Sequence, residues 1–386
     1  AAVRLARSGT RVTLLEARGR LGGRATAFVD RDTGELVDNG QHVLLGCYHD
    51  TFAFLQAIGA GHNVSARSRL AVTMVDRNGT RSTLECPSLP APIHLLAGLF
   101  DWTALSWSDR WSALRMARPL RTARRQLAGD ERRLAASPGE TVESWLIRNG
   151  QSARLREMLW EPLALAALNQ PASVAAAPPF ARVLAEMFGS DPQSAAIVLP
   201  RRPLHELYAE PARAEIERCG GMGKVGVPAR IRVASGRADE VTAGADEWRP
   251  RAVVAAVPWY ALSELFEGDV APLEPVIRAA RATTASPIVT VNLWFDREVM
   301  DEPFIGLPGR VMQWVFDKRL IFGGASSHLS LVSSGATSVL ARTNAELVAL
   351  AQGELSAALP AARGARLVRG TVIREPNATF SLAPGQ

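Results

Sequence analysis

Apolar positions along the chain recur with two periods, and the changes between them predict the elements. Ala1–Ser8 is a run of helix formers with Gly9 as its stop, and the apolar stretch 11–15 that follows predicts a buried strand ending in the acid Glu16. Leu70–Cys86 reads as a hairpin, because Asn78-Gly79 lies between two β-prone runs. Helical patterns span 137–150, with Pro138 in the first turn and Gly150 as the stop, and continue over 154–167 and 180–188 between proline breaks at Pro171 and Pro178-Pro179. Residues 204–218 predict a helix interrupted at Pro211, 219–223 a turn and 229–233 a short strand. The continuous apolar run 251–257 predicts a strand covered on both faces. Strict alternation over 288–295 predicts a half-buried antiparallel strand, with Val289, Val291, Leu293 and Phe295 on one face and Thr290 and Asn292 on the other. Runs 311–316, 320–322 and 329–333 extend that sheet, and 338–359 returns to helix. No internal repeat is visible.

One segment stands apart. Between residues 101 and 133, Trp102, Trp107 and Trp111 accompany a row of arginines, and helical spacing puts Arg115, Arg118, Arg121 and Arg125 on the face of Trp111, opposite Met116, Leu120 and Leu127. Pro119 is expected to kink or divide that helix. A basic amphipathic segment with tryptophan suits the headgroup region of an anionic membrane. The other reading is a solvated arginine face on a helix that packs inward. No recognised DNA- or RNA-binding motif accompanies the charge, so nucleic acid is not the expected partner.

With 386 residues, 47% apolar and 21% charged, the composition is that of a globular chain of one large or two ordinary domains, which excludes disorder, collagen-like repeats and coiled coil. The net charge of +6 comes from arginine, since Lys224 and Lys318 are the only lysines. Cys47, Cys86 and Cys219 lie far apart and suggest neither a disulfide framework nor a zinc site, so a reduced, cytoplasmic chain is expected. No apolar run approaches the about 20 residues of a membrane span, and nothing at the amino end reads as a signal peptide. The six histidines show no Ser-His-Asp or metal-ligand spacing, so hydrolase and metalloenzyme chemistry lack residues to carry them.

Candidate chemistry begins at Glu16. In a dinucleotide-binding βαβ unit an acid ends the second strand and meets the ribose hydroxyls about 20 residues after a glycine-rich turn. Counted back from Glu16, that turn precedes Ala1, so the phosphate loop is expected outside this chain. Beyond Glu16, Gly22-Gly23 lets the backbone approach a ligand closely and the flanking arginines can meet phosphate. Alone, the two glycines would read as a surface turn.

VTLLEARGRLGGRA followed by GELVDNGQHVLLGCY resembles the FAD-dependent amine oxidase and phytoene desaturase superfamily. With PRRPLHELYAEPA, AVVAAVPWYAL and SPIVTVNLWF, the chain looks most like its squalene-associated branch of bacterial hopanoid synthesis, the hydroxysqualene dehydroxylases. The resemblance implies an α/β fold in which a Rossmann-like FAD-binding domain (1–58 and 200–262) is interleaved with an α+β substrate domain, mainly helical over 59–199 and antiparallel sheet with helix over 263–386. It also implies truncation at both ends, because relatives carry a further Gly-Asp flavin segment past the last residue. Glu16 would bind the adenosine ribose. Ala17, Arg18, Gly22, Gly23 and Arg24 would lie along the pyrophosphate, the backbone at Ile231 would meet the adenine, and Val257 and Pro258 would border the dinucleotide. Ile231 and Val257 read equally well as simple core positions. Gly40, Gln41 and His42 would approach the isoalloxazine ring.

The implied reaction is removal of the allylic hydroxyl of hydroxysqualene, reduced FAD supplying hydride, with no metal. His42 is the candidate proton donor, or else a hydrogen-bonded structural histidine beside the cofactor. Phytoene-type desaturation and a flavin-free lipid-binding protein are the alternatives. The expected location is cytoplasmic, with peripheral contact on the inner face of the cell membrane through 101–133.

Overall fold

The computed structural model describes residues 1–66, 69–130 and 132–386. Chain contacts divide it into two compact units. One holds residues 1–27, 54–61 and 204–284; the other holds 28–53, 62–203 and 285–386.

In the first unit the helix Ala2–Arg7 stops at Gly9 as expected, and the strand Thr13–Glu16 pairs in parallel with Met222–Val225, Glu16 standing against Val225. A four-stranded sheet runs in the order Asp246–Trp248, Arg237–Ala243, Ala229–Ala234, Phe266–Gly268 around a small core of Ile231, Val241 and Leu265. The helix 204–218 is interrupted as its proline predicts. A π-helical turn, His205–Ala209, leads into Glu210–Arg218, because Pro211 offers no N–H and its ring crowds the carbonyl four residues back. The expected strand 251–257 does not form. It has no regular secondary structure, no strand among the described residues pairs with it, and Val254 and Val257 are exposed. An apolar run becomes a buried strand only when neighbours take up both its edges.

The second unit is built on a seven-stranded sheet. Its order is Leu367–Phe380, Ala285–Phe295, Ser327–Ser334, Trp314–Asp317, Phe304–Gly306, Ala71–Val75, Arg81–Glu85. All neighbours are antiparallel except Phe304–Gly306 and Ala71–Val75, which meet in parallel. The last two strands in that order are the expected hairpin, its turn closed where Asp76 Oδ1 accepts from the N–H groups of Asn78 and Thr80. The expected strand 320–322 is instead the helix Lys318–Phe322, since Asp317 caps it by accepting from the N–H groups of Arg319 and Leu320. Ala285–Phe295 is antiparallel but buried on both faces rather than half-buried, Thr290 and Asn292 being as enclosed as Val289.

Helices cover the sheet. Thr141 and Thr343 form capping boxes with Ser144 and Glu346, so the helices Val142–Arg148 and Asn344–Ala358 begin later than the proline and apolar patterns suggested. A second π turn, Arg156–Trp160, precedes Glu161-Pro162 as the first precedes Glu210-Pro211. In the basic segment the helices are Trp107–Leu114 and Ala117–Leu127. The break falls at Arg115-Met116, not at Pro119, which sits in the first turn of the second helix where its missing N–H costs nothing. The helical core centres on Phe180, met edge-on by Trp145 at 6.4 Å and Trp160 at 6.5 Å. No helix among the described residues is long and apolar enough to cross a membrane.

Candidate functional site

In the first unit, Glu16 ends its strand and its Oε1 accepts from the Arg18 N–H at 2.8 Å. The Gly226 N–H donates to the Arg18 carbonyl at 2.7 Å, so the parallel pair holds the turn after the acid in place. Ala17 and Arg18 are exposed. Gly22 has φ +109°, and a Cβ there would stand 2.5 Å from the Ala25 carbonyl oxygen, so only glycine fits; Gly23 follows at φ +60°. Arg24 lies over the Trp259 ring, 5.3 Å from its centroid. Pro258 precedes the helix Trp259–Leu265, with Val257 beside it, and Ile231 is buried in the small core against which Leu15 packs. All nine of the expected nucleotide-binding positions therefore lie in this unit.

Gly40, Gln41 and His42 lie in the other unit, on the wall of a cavity of about 870 Å³. Its lining is mostly aliphatic, with side chains such as Leu95, Leu99, Leu120, Leu163 and Ile288. Polar groups are few. Asn169, in the left-handed conformation at φ 53°, donates through Nδ2 to the Ser286 carbonyl and Thr379 Oγ1, and Asn39 donates to Glu375.

His42 shows surface to the cavity while the protein encloses it. Burial, reinforced by the Lys318 charge, pushes its pKa below the usual imidazole range, against the opposing effects of the Gly40 carbonyl and Asp38. Nδ1 is 3.2 Å from that carbonyl, which can only accept. The proton of the neutral ring is therefore on Nδ1 and the lone pair on Nε2. Such a ring accepts a hydrogen bond at Nε2, whereas the donor role expected from the sequence requires protonation below the lowered pKa.

Beneath the 39–42 loop lies a charged pair that the sequence reading missed. Lys318 Nζ is 2.9 Å from Asp38 Oδ2, also bonds Gln41 Oε1, and rests 4.9 Å from the centroid of the Phe322 ring. Both side chains of the ion pair are almost fully buried, at 5% and 1% exposure. The available signal was that one of only two lysines stands in an arginine-rich chain. Thr290 Oγ1 is buried without a protein partner and would lie 3.7 Å from a Cβ placed on Gly40. No group of three His, Cys, Asp or Glu among the described residues could hold a metal.

The sequence pattern of the flavin containing amine oxidoreductase family matches residues 1–379. Hydroxysqualene dehydroxylase of Rhodopseudomonas palustris is 26% identical over 396 residues, covering 100% of this chain and 84% of that relative. Zeta-carotene desaturase of Synechocystis sp. is 27% identical over 168 residues, 43% of this chain and 34% of the other. Among solved structures, an oxidoreductase from Methanosarcina mazei superimposes with a TM-score of 0.73 at 13% identity, over 99% of this chain and 86% of that one, a likeness of fold.

Proposed function

The chain belongs to the flavin-containing amine oxidoreductases and is an FAD-dependent oxidoreductase, and we propose that it acts on an isoprenoid lipid, reducing hydroxysqualene to squalene in hopanoid synthesis. The observation that carries the reading is the aliphatic cavity with Gly40, Gln41 and His42 on its wall, large enough for a long hydrocarbon and nearly free of groups that would hold a charged amine. The full-length likeness to a hydroxysqualene dehydroxylase supports it.

In this reading the first unit is the FAD-binding domain and the second the substrate domain. Glu16 receives the adenosine ribose, with one carboxylate oxygen steadied by Arg18 N–H. Ala17, Arg18, Gly22, Gly23 and Arg24 follow the pyrophosphate, Gly22 forming a cradle that any Cβ would fill. Ile231 gives its backbone to the adenine, and Val257 and Pro258 border the dinucleotide. Gly40 and Gln41 approach the ring, near the unpartnered Thr290 hydroxyl. The flavin, when bound and reduced, would supply the hydride.

The chain's own residues do the rest. The aliphatic walls exclude water, and the Lys318–Asp38 pair fixes the loop that carries His42. The neutral ring of His42 accepts the substrate hydroxyl's hydrogen at Nε2 and so orients the departing C–O bond. Departure of water also consumes one proton, which reaches the oxygen more readily when His42 is protonated, so turnover should rise toward acid pH. His42→Ala, with FAD still bound, should cut kcat/KM by about 100-fold; unchanged turnover would remove His42 from the reaction.

Anaerobic incubation of the reduced, flavin-loaded enzyme with hydroxysqualene tests the whole reading. Squalene detected by mass spectrometry, dependent on reduced flavin, is the expected result. A second reading, polyene desaturation in the oxidative direction, is favoured by the partial likeness to zeta-carotene desaturase. A loaded enzyme that makes no squalene but dehydrogenates phytoene would establish it.

A further inference from the structure

We propose that the outer faces of three consecutive helices, Ile93–Asp101, Trp107–Leu114 and Ala117–Leu127, form a docking plane for an anionic lipid bilayer, and that the cavity is loaded from it. The loading step rests on the lipid-substrate reading above; the docking does not. The first and third of these helices turn one face inward. Leu95 and Leu99, and on the third helix Leu120, line the cavity. Gly98 holds the first helix close to the sheet, since a Cβ there would meet Cys86 Sγ and the Glu85 carbonyl at 2.8 Å.

The outward faces are of another kind. Ile93 is 54% exposed, Trp107 65% and Trp111 60%. Phe100 meets the two indoles edge-on, at 6.3 and 5.8 Å, so the rings are presented as one aromatic ridge. On the third helix and in the turn before it Arg115, Arg118 and Arg125 are exposed, and no carboxylate among the described residues pairs with any of them, whereas Arg121 and Arg124 stand at the cavity wall. Elsewhere the surface arginines are commonly neutralised, as Arg148 is by Glu140, Arg213 by Glu217 and Arg218 by Glu215. Unneutralised arginines call for an external anion. Aliphatic and indole side chains at the same surface call for an apolar phase just beneath it, and a bilayer with anionic headgroups offers both. A water-insoluble substrate would then pass from the bilayer to the cavity across a single layer of helices.

The test uses the flavin-loaded protein and sedimentation with phosphatidylcholine vesicles, with or without phosphatidylglycerol. Binding is expected to the mixed vesicles, and to weaken with added salt. The variant Arg115→Gln/Arg118→Gln/Arg125→Gln should partition about 100-fold more weakly, with its flavin spectrum unchanged. Vesicles with brominated acyl chains should quench the wild-type tryptophan emission, and Trp107→Phe/Trp111→Phe should bind as well but lose most of the quenching. Equal binding to neutral and anionic vesicles, no binding, or arginine and tryptophan variants that behave as wild type would overturn the docking. For loading, the arginine variant should turn over vesicle-borne substrate slowly and detergent-dispersed substrate at the wild-type rate; equal rates from both sources would overturn it. A wild type that binds vesicles but converts hydroxysqualene from neither source would count against the substrate reading alone.

Discussion

The strand Ala285–Phe295 presents two faces that are equally buried and chemically opposite. Val289, Val291 and Leu293 are fully enclosed with Leu329, Leu331 and the inward residues of Asn344–Ala358. On the other face Asn292 Oδ1 lies 3.0 Å from His328 Nε2, and His328 stacks on Trp294 at 4.1 Å. Trp294 in turn donates to Glu35 at 2.8 Å. The first face is stable in proportion to the area it hides, and its members are interchangeable within limits of volume. The second face gains stability where its polar groups find partners, as Asn292 Oδ1 does, and loses it where they do not, as at Thr290 Oγ1 and Asn292 Nδ2, and a loss from a bonded pair leaves the remaining partner exposed to the full desolvation cost.

Changes at four places would break or sharpen that contrast. The largest effect is expected where a buried ion pair is broken: Lys318→Met, which removes the ammonium bonded to Asp38, should cost about 4 kcal/mol in denaturant unfolding, and adding Asp38→Asn should recover much of it. On the apolar face Leu293→Ala should cost about 3 kcal/mol by lost burial and the cavity left behind, with no dependence on pH.

The third is a pH effect. Burial, helped by Lys318 and opposed by Asp30, pushes the His328 pKa down to about 3. In the unfolded chain a histidine titrates at about 6.5. The unfolded state therefore takes up the proton first, and the contribution of His328 is whole above about pH 6.5 and is lost as the pH falls toward 3. His328→Gln should remove that component from a plot of stability against pH. Asp30 adds to the acid sensitivity below it. Burial alone would raise its carboxyl, but hydrogen bonds from Arg369, Thr371 and the Thr33 and Asp32 N–H groups hold it well below the usual carboxylate range. Its contribution is present above the ordinary carboxylate pKa and is lost below it.

The smallest effect is expected at Thr290, whose buried hydroxyl has no protein partner. Thr290→Val should stabilise the apoprotein by about 0.5–1 kcal/mol. If the hydroxyl serves the flavin, the same variant should bind FAD more weakly in titration.

Residues near one another in sequence decided their structure locally. Asn78-Gly79 set the hairpin, Gly9 and Gly150 marked helix ends, and Pro162 and Pro211 each disturbed a helix where they stand. The acid-then-glycine turn at 16–23 was legible for the same reason, because a strand end and a position that tolerates no Cβ are short-range properties. Long-range pairing decided the remainder. The run 251–257 has the composition of a core strand, yet no strand among the described residues pairs with it. Residues 320–322 look like strand and are helix because Asp317 caps them. Alternation over 288–295 revealed two faces, but only packing determined that the polar one would be buried. The Lys318–Asp38 bond spans 280 residues of sequence, and the cavity exists only where sheet and helices meet around it. Periodicity reports which side of an element is apolar; what the other side meets depends on the rest of the chain, and there the choice between solvent, a partner and a ligand was made.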